Sequence, residues 1–441
     1  MGLLFRGVVW FGLYCALLLL PLSVAFVADP VGVPRSLAVE FSVAAGFIAF
    51  AVLTVEFALV SRLKAASAPF GTDALMLFHR QMGLAAAAFV VLHVVVLLGP
   101  GGREDLGMRL AARGAAAGGV VAVVALALLI VTALARRRLR LPYEAWQVLH
   151  VVTAVAVVAA SLVHLLAIDG YMRATGVRVA VLLYVVSFAA LLLYYRLLRP
   201  LRLLRRSCEV IENRDEGGDT RTLVLRPAGW RGFAFEPGQF GWLVTGRTPF
   251  AIEQHPVSFS SSAERQPGDA FEMSIKALGD WSGEVVPRLA PGARVRVDAA
   301  YGAFTPDRMP AQGFVLIAGG IGITPMRSIL LTLRDRRDLR PVLLIHAANR
   351  PERLLFGAEI EALRGAMNLT VVPVFEAPPA GWEGESGFVT RGLIERHLPA
   401  QFRRFQFFVC GPPPMMDVVE ASLVSLGVPQ ERITTERFDM I

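Results

Sequence analysis

Three cysteines in 441 residues, Cys15, Cys208 and Cys410, are too few and too scattered for a disulfide framework, a zinc site or a cysteine-held iron–sulfur cluster. Charge is scarce too. Charged residues make up 18% of the chain against 55% hydrophobic ones, and the apolar residues crowd before residue 200, so a membrane part precedes a soluble one. The net charge of +8 does not mark a nucleic-acid binder, because the basic runs RRRLR (136–140) and RLLRPLRLLRR (196–206) flank apolar segments and read as anchors at a membrane surface. No G-x-G-x-x-G fingerprint, calcium loop, internal repeat or low-complexity stretch is present.

What the first half does contain is six apolar segments, at about 7–28, 36–61, 73–99, 114–135, 144–168 and 176–198, each long enough to span a bilayer. The first also has the positive start of a signal peptide, at Arg6. Its length and the lack of a clean cleavage site favour a retained helix. Arg62, Lys64, the 136–140 run and the 196–206 run fall on one side. Arg35, Arg103, Arg109, Arg113 and Arg173 fall on the other, offset by Asp29, Glu104, Asp105 and Asp169. The bias puts both termini in the cytoplasm of an integral protein of the cell or inner membrane.

Within those segments lie four histidines in two pairs of equal spacing. His79 and His93 are 14 residues apart in the third segment, His150 and His164 in the fifth. On a helix that spacing returns to nearly the same face after a rise of about 21 Å. A single imidazole in an apolar helix is commonly a hydrogen-bonded core residue. Two matched pairs on parallel helices instead suit two stacked planar metal cofactors, haems b, with His79 opposite His150 and His93 opposite His164. Arg80 and the loop arginines suit either haem propionates or the interface.

After residue 206 short alternating segments follow one another: CEVIENRDEGGDTRTLVLRPAG, FEPGQFGWLVT, PVSFSSS, FEMSIKAL and RVRVDAAYG, the pattern of a small antiparallel barrel. From Gly313, strands (GFVLIAGG, PVLLIHAA, NLTVVPVF, QFFVCG) alternate with helices (TPMRSILLTLRDRR, ERLLFGAEIEALRGA, PPMMDVVEASLVSLG), which implies a parallel α/β sheet. The expected fold is a six-helix bundle over 1–204, a barrel over 205–310 and an α/β domain over 311–441.

Three motifs carry chemistry. His255-Pro256-Val257-Ser258, running on into Phe259-Ser260-Ser261, offers a ring and hydroxyls to a diphosphate or a polar ring edge, although serine-rich stretches are commonly loops. Gly319-Gly320-Ile321-Gly322-Ile323-Thr324-Pro325 lies between a buried strand and a helix, where glycines admit a ligand to the backbone and the helix N-terminus favours phosphate. Cys410-Gly411-Pro412 ends another strand at the same sheet edge.

In this order the motifs resemble the ferredoxin–NADP reductase superfamily. HPVSFSS is similar to its flavin-binding strand, with His255 where many members have arginine. Ile275-Lys276 followed by Gly279-Asp280-Trp281-Ser282-Gly283 resembles the next flavin element, which receives the diphosphate. The glycine turn resembles the pyridine-nucleotide loop, Cys410-Gly411-Pro412 the strand end near the nicotinamide, and Glu436-Arg437-Phe438 the terminal aromatic that covers the flavin. Together with the paired histidines, the chain resembles the NADPH oxidase and ferric reductase family over nearly its whole length. One departure is the tail, since Asp439, Met440 and Ile441 follow Phe438.

The resemblance implies a flavohaem oxidoreductase holding FAD and two haems b. Cys410 and Phe438 would be its catalytic residues and His79, His93, His150 and His164 its metal ligands. Electrons would pass from cytoplasmic NAD(P)H to an outer acceptor: oxygen giving superoxide, a ferric chelate, or an envelope partner protein or quinone. Arg103, Arg109, Arg113 and Arg173 would line a vestibule for a chelate. Arg350 and Arg353, after the strand PVLLIHAAN, suit the 2′-phosphate of NADPH, and also suit a solvated loop.

Overall fold

The computed structural model describes residues 3–28, 36–62, 70–99, 113–168, 171–246, 248–251 and 253–438. Lys64, Asp169, the loop charges from Asp29 to Arg35 and from Arg103 to Arg109, and the tail after Phe438 lie outside them. The chain divides into two compact units, Met1–Phe70 with Ala74–Leu198, and Arg199–Ile441 with Gly71–Asp73.

The first unit holds α1 (Leu3–Ala28), α2 (Leu37–Leu59), α3 (Thr72–Leu98), α4 (Arg113–Ala135), α5 (Tyr143–Ala167) and α6 (Thr175–Leu193). All six are long and apolar enough to cross a membrane. Runs of Ala, Val and Leu become helix here because lipid offers no partner to a backbone N–H or C=O, so each must be satisfied within its own segment. Buried hydroxyls obey the same rule. Thr54 donates to Phe50 O (2.8 Å) and Thr153 to Leu149 O (2.7 Å), each one turn back along its helix. Helix α2 begins at Ser36, whose Oγ accepts from Val39 N at 3.3 Å. It is the most enclosed of the six, with Phe47, Phe50, Ala51, Val52 and Val55 at 5% exposure or less. Tyr184 of α6 donates to Leu17 O of α1 (3.1 Å) and Ala51 O of α2 (3.4 Å), and Tyr171 donates to the Glu40 carboxylate.

The second unit opens with α7 (Arg199–Leu203), whose Arg199 donates to Asp298 Oδ1 at 2.7 Å. Six antiparallel strands follow: β1 (Ser207–Gly217), β2 (Thr220–Ala228), β3 (Phe240–Val244), β4 (His255–Ser258), β5 (Phe271–Lys276) and β6 (Arg294–Tyr301). Their order is β4-β3-β6-β1-β2-β5, and a bridge between Phe259 and Met273 joins the two edges into a barrel. Inward positions alternate with outward ones. Cys208 and Val210 of β1, Leu223 and Leu225 of β2, and Phe271 and Met273 of β5 fill the interior. Burial pushes the Cys208 thiol up to about 12, so it stays a protonated core residue.

The remaining elements are β7 (Phe314–Gly319), α8 (Ile323–Asp335), β8 (Val342–Ala348), α9 (Gly357–Ala362), β9 (Leu369–Phe375), β10 (Glu385–Ser386), α10 (Arg391–His397), β11 (Gln406–Cys410), α11 (Pro413–Ser425) and β12 (Ile433–Thr435). The sheet is parallel, in the order β10-β9-β8-β7-β11-β12. Phe314, Leu316 and Ala318 of β7 face Met326, Ile329 and Leu330 of α8. Val315 and Ile317 face the other way, onto Leu393 of α10 and Met416, Val419 and Leu423 of α11. The expected long helix over ERLLFGAEIEALRGA is shorter, because Phe356 takes a left-handed φ of 59° and restarts the chain at Gly357. Strands β10 and β12 and helix α10 were not read from sequence; each has seven residues or fewer, too short for a period to emerge.

Candidate functional site

The first unit brings its four histidines together in the expected pairs. His79 of α3 and His150 of α5 have ring centroids 6.2 Å apart, and His93 and His164 are 6.3 Å apart. A metal–imidazole bond of about 2 Å plus roughly 1.2 Å from Nε2 to the ring centre, taken twice, gives about 6.4 Å for two imidazoles sharing one ion. Among the described residues no three His, Cys, Asp or Glu side chains gather around a bare ion. Each pair therefore supplies two ligands only, and the remaining coordination positions must come from a planar chelate. Gly83, one turn from His79, leaves room at that face: a Cβ there would meet nothing within 4 Å.

The other ring nitrogens are held as well. The Glu56 carboxylate of α2 hydrogen-bonds His79 Nδ1. His93 Nδ1 lies 2.8 Å from Ser42 O and 2.9 Å from Ser42 Oγ, which also bonds His93 O at 2.9 Å. An imidazole that ligates through Nε2 keeps its proton on Nδ1 and needs an acceptor there; Glu56 and Ser42 supply it. His150 Nδ1 is buried with no partner among the described residues, beside the Trp146 ring at 5.1 Å. Small residues make the approach possible. A Cβ on Gly46 of α2 would sit 3.2 Å from His93 Nδ1, and one on Gly119 of α4 would sit 2.9 Å from His164 Nδ1.

Sequence reasoning missed Ser42, Gly46, Glu56 and Gly119. One signal was available. Ser42 and Glu56 are 14 residues apart, the same interval as His79 and His93, which is what an antiparallel partner of α3 must carry to meet both rings.

In the second unit the sheet order reverses between β7 and β11, the switch point at which open α/β sheets receive ligands. Both predicted loops meet there. A Cβ on Gly322 would lie 2.1 Å from Cys410 O, one on Gly319 2.9 Å from Pro412 Cδ, and one on Gly411 3.1 Å from Gly319 N, so the backbones touch and only glycine fits. Gly320 has φ +54° and faces open space, as a turn that admits a phosphate to its amides requires. Ile323, Thr324 and Pro325 start α8, which has no side-chain cap of its own; Thr324 Oγ1 donates to Ile321 O at 2.9 Å. Cys410 is 4% exposed. Arg350 lies exposed just past the end of β8, and Arg353 beside it is 3.9 Å from Asp219.

On the barrel, His255 stacks on Trp281 with centroids 3.7 Å apart, and Trp281 Nε1 donates to Thr245 Oγ1 at 3.0 Å. Pro256 and Ser258 stand opposite Trp242 and Phe240 of β3; Val257 and Ser258 are buried. Phe438 meets Phe240 edge-on at 5.9 Å, in a cluster with Trp242 and Tyr301, so the terminal aromatic and the HPVS strand share β3 as a neighbour. Lys276 pairs with Thr220 at the far edge of the sheet. Gly279 is open, whereas Ser282 Oγ accepts from Leu278 N (2.8 Å) and Gly279 N (3.0 Å) and thereby closes its own loop.

A residue that sequence reasoning passed over ties the barrel to α8. Arg327, 6% exposed, donates to Glu272 (2.5 Å), Ser260 O (2.9 Å) and both oxygens of Glu359 (2.7 and 2.9 Å). Burial opposes ionisation of Glu272, but the Arg327 and Arg214 guanidinium groups outweigh it and hold that carboxyl below its usual range. Ser328 adds a bond to Ser261 O at 2.8 Å. The strand that begins at His255 and the helix that begins at the glycine turn are thus locked side by side.

These features define a membrane-embedded oxidoreductase. Residues 45–161 match the ferric reductase like transmembrane component, and residues 316–421, which include the glycine turn and Cys410, match the oxidoreductase NAD-binding domain. The electron transfer component XylA of xylene/toluene monooxygenase from Pseudomonas putida is 32% identical over 211 residues, 46% of this chain and 58% of that protein. NADH-cytochrome b5 reductase 1 of Aspergillus oryzae is 31% identical over 215 residues, 43% of this chain and 73% of that one. The chain thus spans under two thirds of the first relative and nearly three quarters of the second. Among solved structures, the flavohem-like FAD/NAD binding domain of a Vibrio cholerae nitric oxide dioxygenase is similar over 52% of this chain and 97% of that one, at 26% identity and a TM-score of 0.46. The chain belongs to the ferric reductase and NADPH oxidase family, in which a ferric reductase-like membrane component is fused to a ferredoxin–NADP reductase-like module.

Proposed function

We propose that the protein carries electrons across the membrane, from NAD(P)H through FAD and two haems b to an acceptor on the opposite face. In this reading residues 1–204 form the haem domain, 205–310 the FAD-binding barrel and 311–441 the nucleotide domain. The observation that carries the reading is the pair of facing imidazole couples, at 6.2 and 6.3 Å, in a chain that also has a glycine turn at a sheet switch point. When bound, FAD turns a hydride into single electrons and the two haems relay them one at a time.

The chain's own residues do the rest. The amides of Gly320 and Gly322 and the start of α8 hold the nucleotide's diphosphate. Cys410 borders the nicotinamide. His255 to Ser258, with Lys276, Gly279, Trp281 and Ser282, cradle the flavin, and Phe438 covers its ring until the nicotinamide takes that place. Arg350 favours NADPH by meeting its 2′-phosphate. His79 with His150, and His93 with His164, hold the haems. The second pair leaves no open coordination position, so the acceptor is reduced at the edge of that site. The basic loop residues favour a cytoplasmic nucleotide module, with His93 and His164 toward the outer face.

The acceptor in this reading is oxygen, giving superoxide; a ferric chelate, an envelope partner protein and a quinone are the alternatives. Oxygen uptake by purified, FAD-supplemented protein on adding NADPH, with superoxide detected in parallel, separates them. Rapid uptake that yields superoxide and is absent in His93→Ala supports the oxidase. Slow uptake, with haems that reduce fully under anaerobic NADPH, replaces oxygen with one of the alternatives.

A further inference from the structure

Helix α2 treats the two imidazole couples unequally. At His79 the acceptor for Nδ1–H is the Glu56 carboxylate, 7% exposed, whose second oxygen has no partner among the described residues. At His93 it is neutral, the carbonyl and hydroxyl of Ser42 at 2.8 and 2.9 Å. A neutral acceptor is enough to orient a ligating imidazole, as Ser42 does; a carboxylate adds charge. Accepting from Nδ1–H, it makes the imidazole more basic and favours the higher oxidation state of a metal at Nε2. Its effect is large because Glu56 lies inside the bundle, where charges are weakly screened.

The chain path gives this inequality a direction. Helices α5 and α6 are joined by a short loop and run in opposite senses. The chain therefore leaves α6, toward the flavin and nucleotide unit, at the membrane face where α5 begins. His150 is in the second turn of α5 and His164 in its last. The couple facing the carboxylate is thus at the end where the chain exits, and the couple facing the serine is at the far end.

Resting on the two-haem reading above, we propose that Glu56 is a positioning residue that sets a lower reduction potential at the His79/His150 site than at the His93/His164 site. One electron, with no proton, then moves downhill from the first site to the second. Ser42, holding the second imidazole without a formal charge, leaves that potential high.

The test is an anaerobic spectroelectrochemical titration of the full-length protein, with haem per chain measured alongside. Wild type is expected to show two haems with separate midpoint potentials. Glu56→Gln keeps the shape and removes the charge. It is expected to raise the lower potential enough to cut the equilibrium constant between the sites about tenfold, roughly 59 mV for one electron, and to leave the upper one in place. Two haems per chain with the lower potential unmoved, or with the upper one moved instead, would overturn the proposal while leaving the two-haem reading intact. Wild-type protein without two haems would overturn both. If Glu56→Gln does not assemble, Glu56→Asp decides: its shorter carboxylate lengthens the contact and raises the lower potential by a smaller step, and no rise overturns the proposal.

Discussion

The two units position their chemistry by different means. In the membrane unit the reactive groups are side chains in the middle of long helices, and their placement depends on the helical period and on what the neighbouring helix presents. His79, His93, His150 and His164 meet because 14 residues bring a helix back to one face. In the soluble unit the groups are mostly backbone at strand ends, and their placement depends on loops too tight for any side chain, as where Gly322 abuts Cys410. A change in the first kind of site removes a ligand and leaves the fold; a change in the second disturbs the fold along with the site.

The largest effect expected of a single substitution follows from that contrast. His93→Ala or His164→Ala should remove one haem and abolish reduction of an acceptor on the far side. Reduction of a soluble dye by NAD(P)H at the flavin should survive, as paired assays would show. Survival of far-side reduction would remove these residues as ligands. Next comes the joint between barrel and α8. Arg327→Met leaves Glu272 and Glu359 without their buried partner, so the soluble unit should lose about 3 kcal/mol, read as a fall in unfolding midpoint, with a higher KM for nucleotide. An unchanged midpoint would mean that the joint rests on Ser328 and Thr332 alone.

A smaller effect concerns His346, 1% exposed in the central strand β8, whose pKa burial lowers to about 4. The unfolded chain binds this proton below about pH 6.5 and the folded one only near pH 4, so stability should fall as pH drops through that window, by about 1.4 kcal/mol per unit. Unfolding midpoints of wild type and His346→Val between pH 7 and 4 test this; equal slopes would assign the acid sensitivity elsewhere. The smallest is specificity. Arg350→Ala should raise KM for NADPH roughly five- to tenfold and leave NADH unchanged. An unchanged preference would make Arg350 a solvated loop residue.

The same contrast governs what could be read from the sequence. The haem-ligand candidates were legible because histidine is rare in apolar helices and its spacing is a number. The six spans and the order of strands were legible from period and composition, and the two nucleotide loops from glycine and proline at strand ends. Glu56 and Ser42 were not, since a residue gains such a role only from the helix beside it, and nothing in the α2 sequence says that α3 lies there in reverse. Arg327 was hidden for a related reason. A lone arginine in the helix TPMRSILLTLRDRR looks like surface charge until Glu272 and Glu359, 55 and 32 residues away, are brought to it.

The central claim is that electrons cross the membrane through the two histidine couples. The most direct measurement uses vesicles that hold the FAD-loaded protein and trapped ferricyanide, an oxidant that cannot cross lipid. NAD(P)H is added outside, to molecules whose soluble unit faces outward. The account predicts that the trapped ferricyanide is reduced by wild type and not by His93→Ala. Reduction confined to ferricyanide added on the same side as the nucleotide, with none inside, would contradict it.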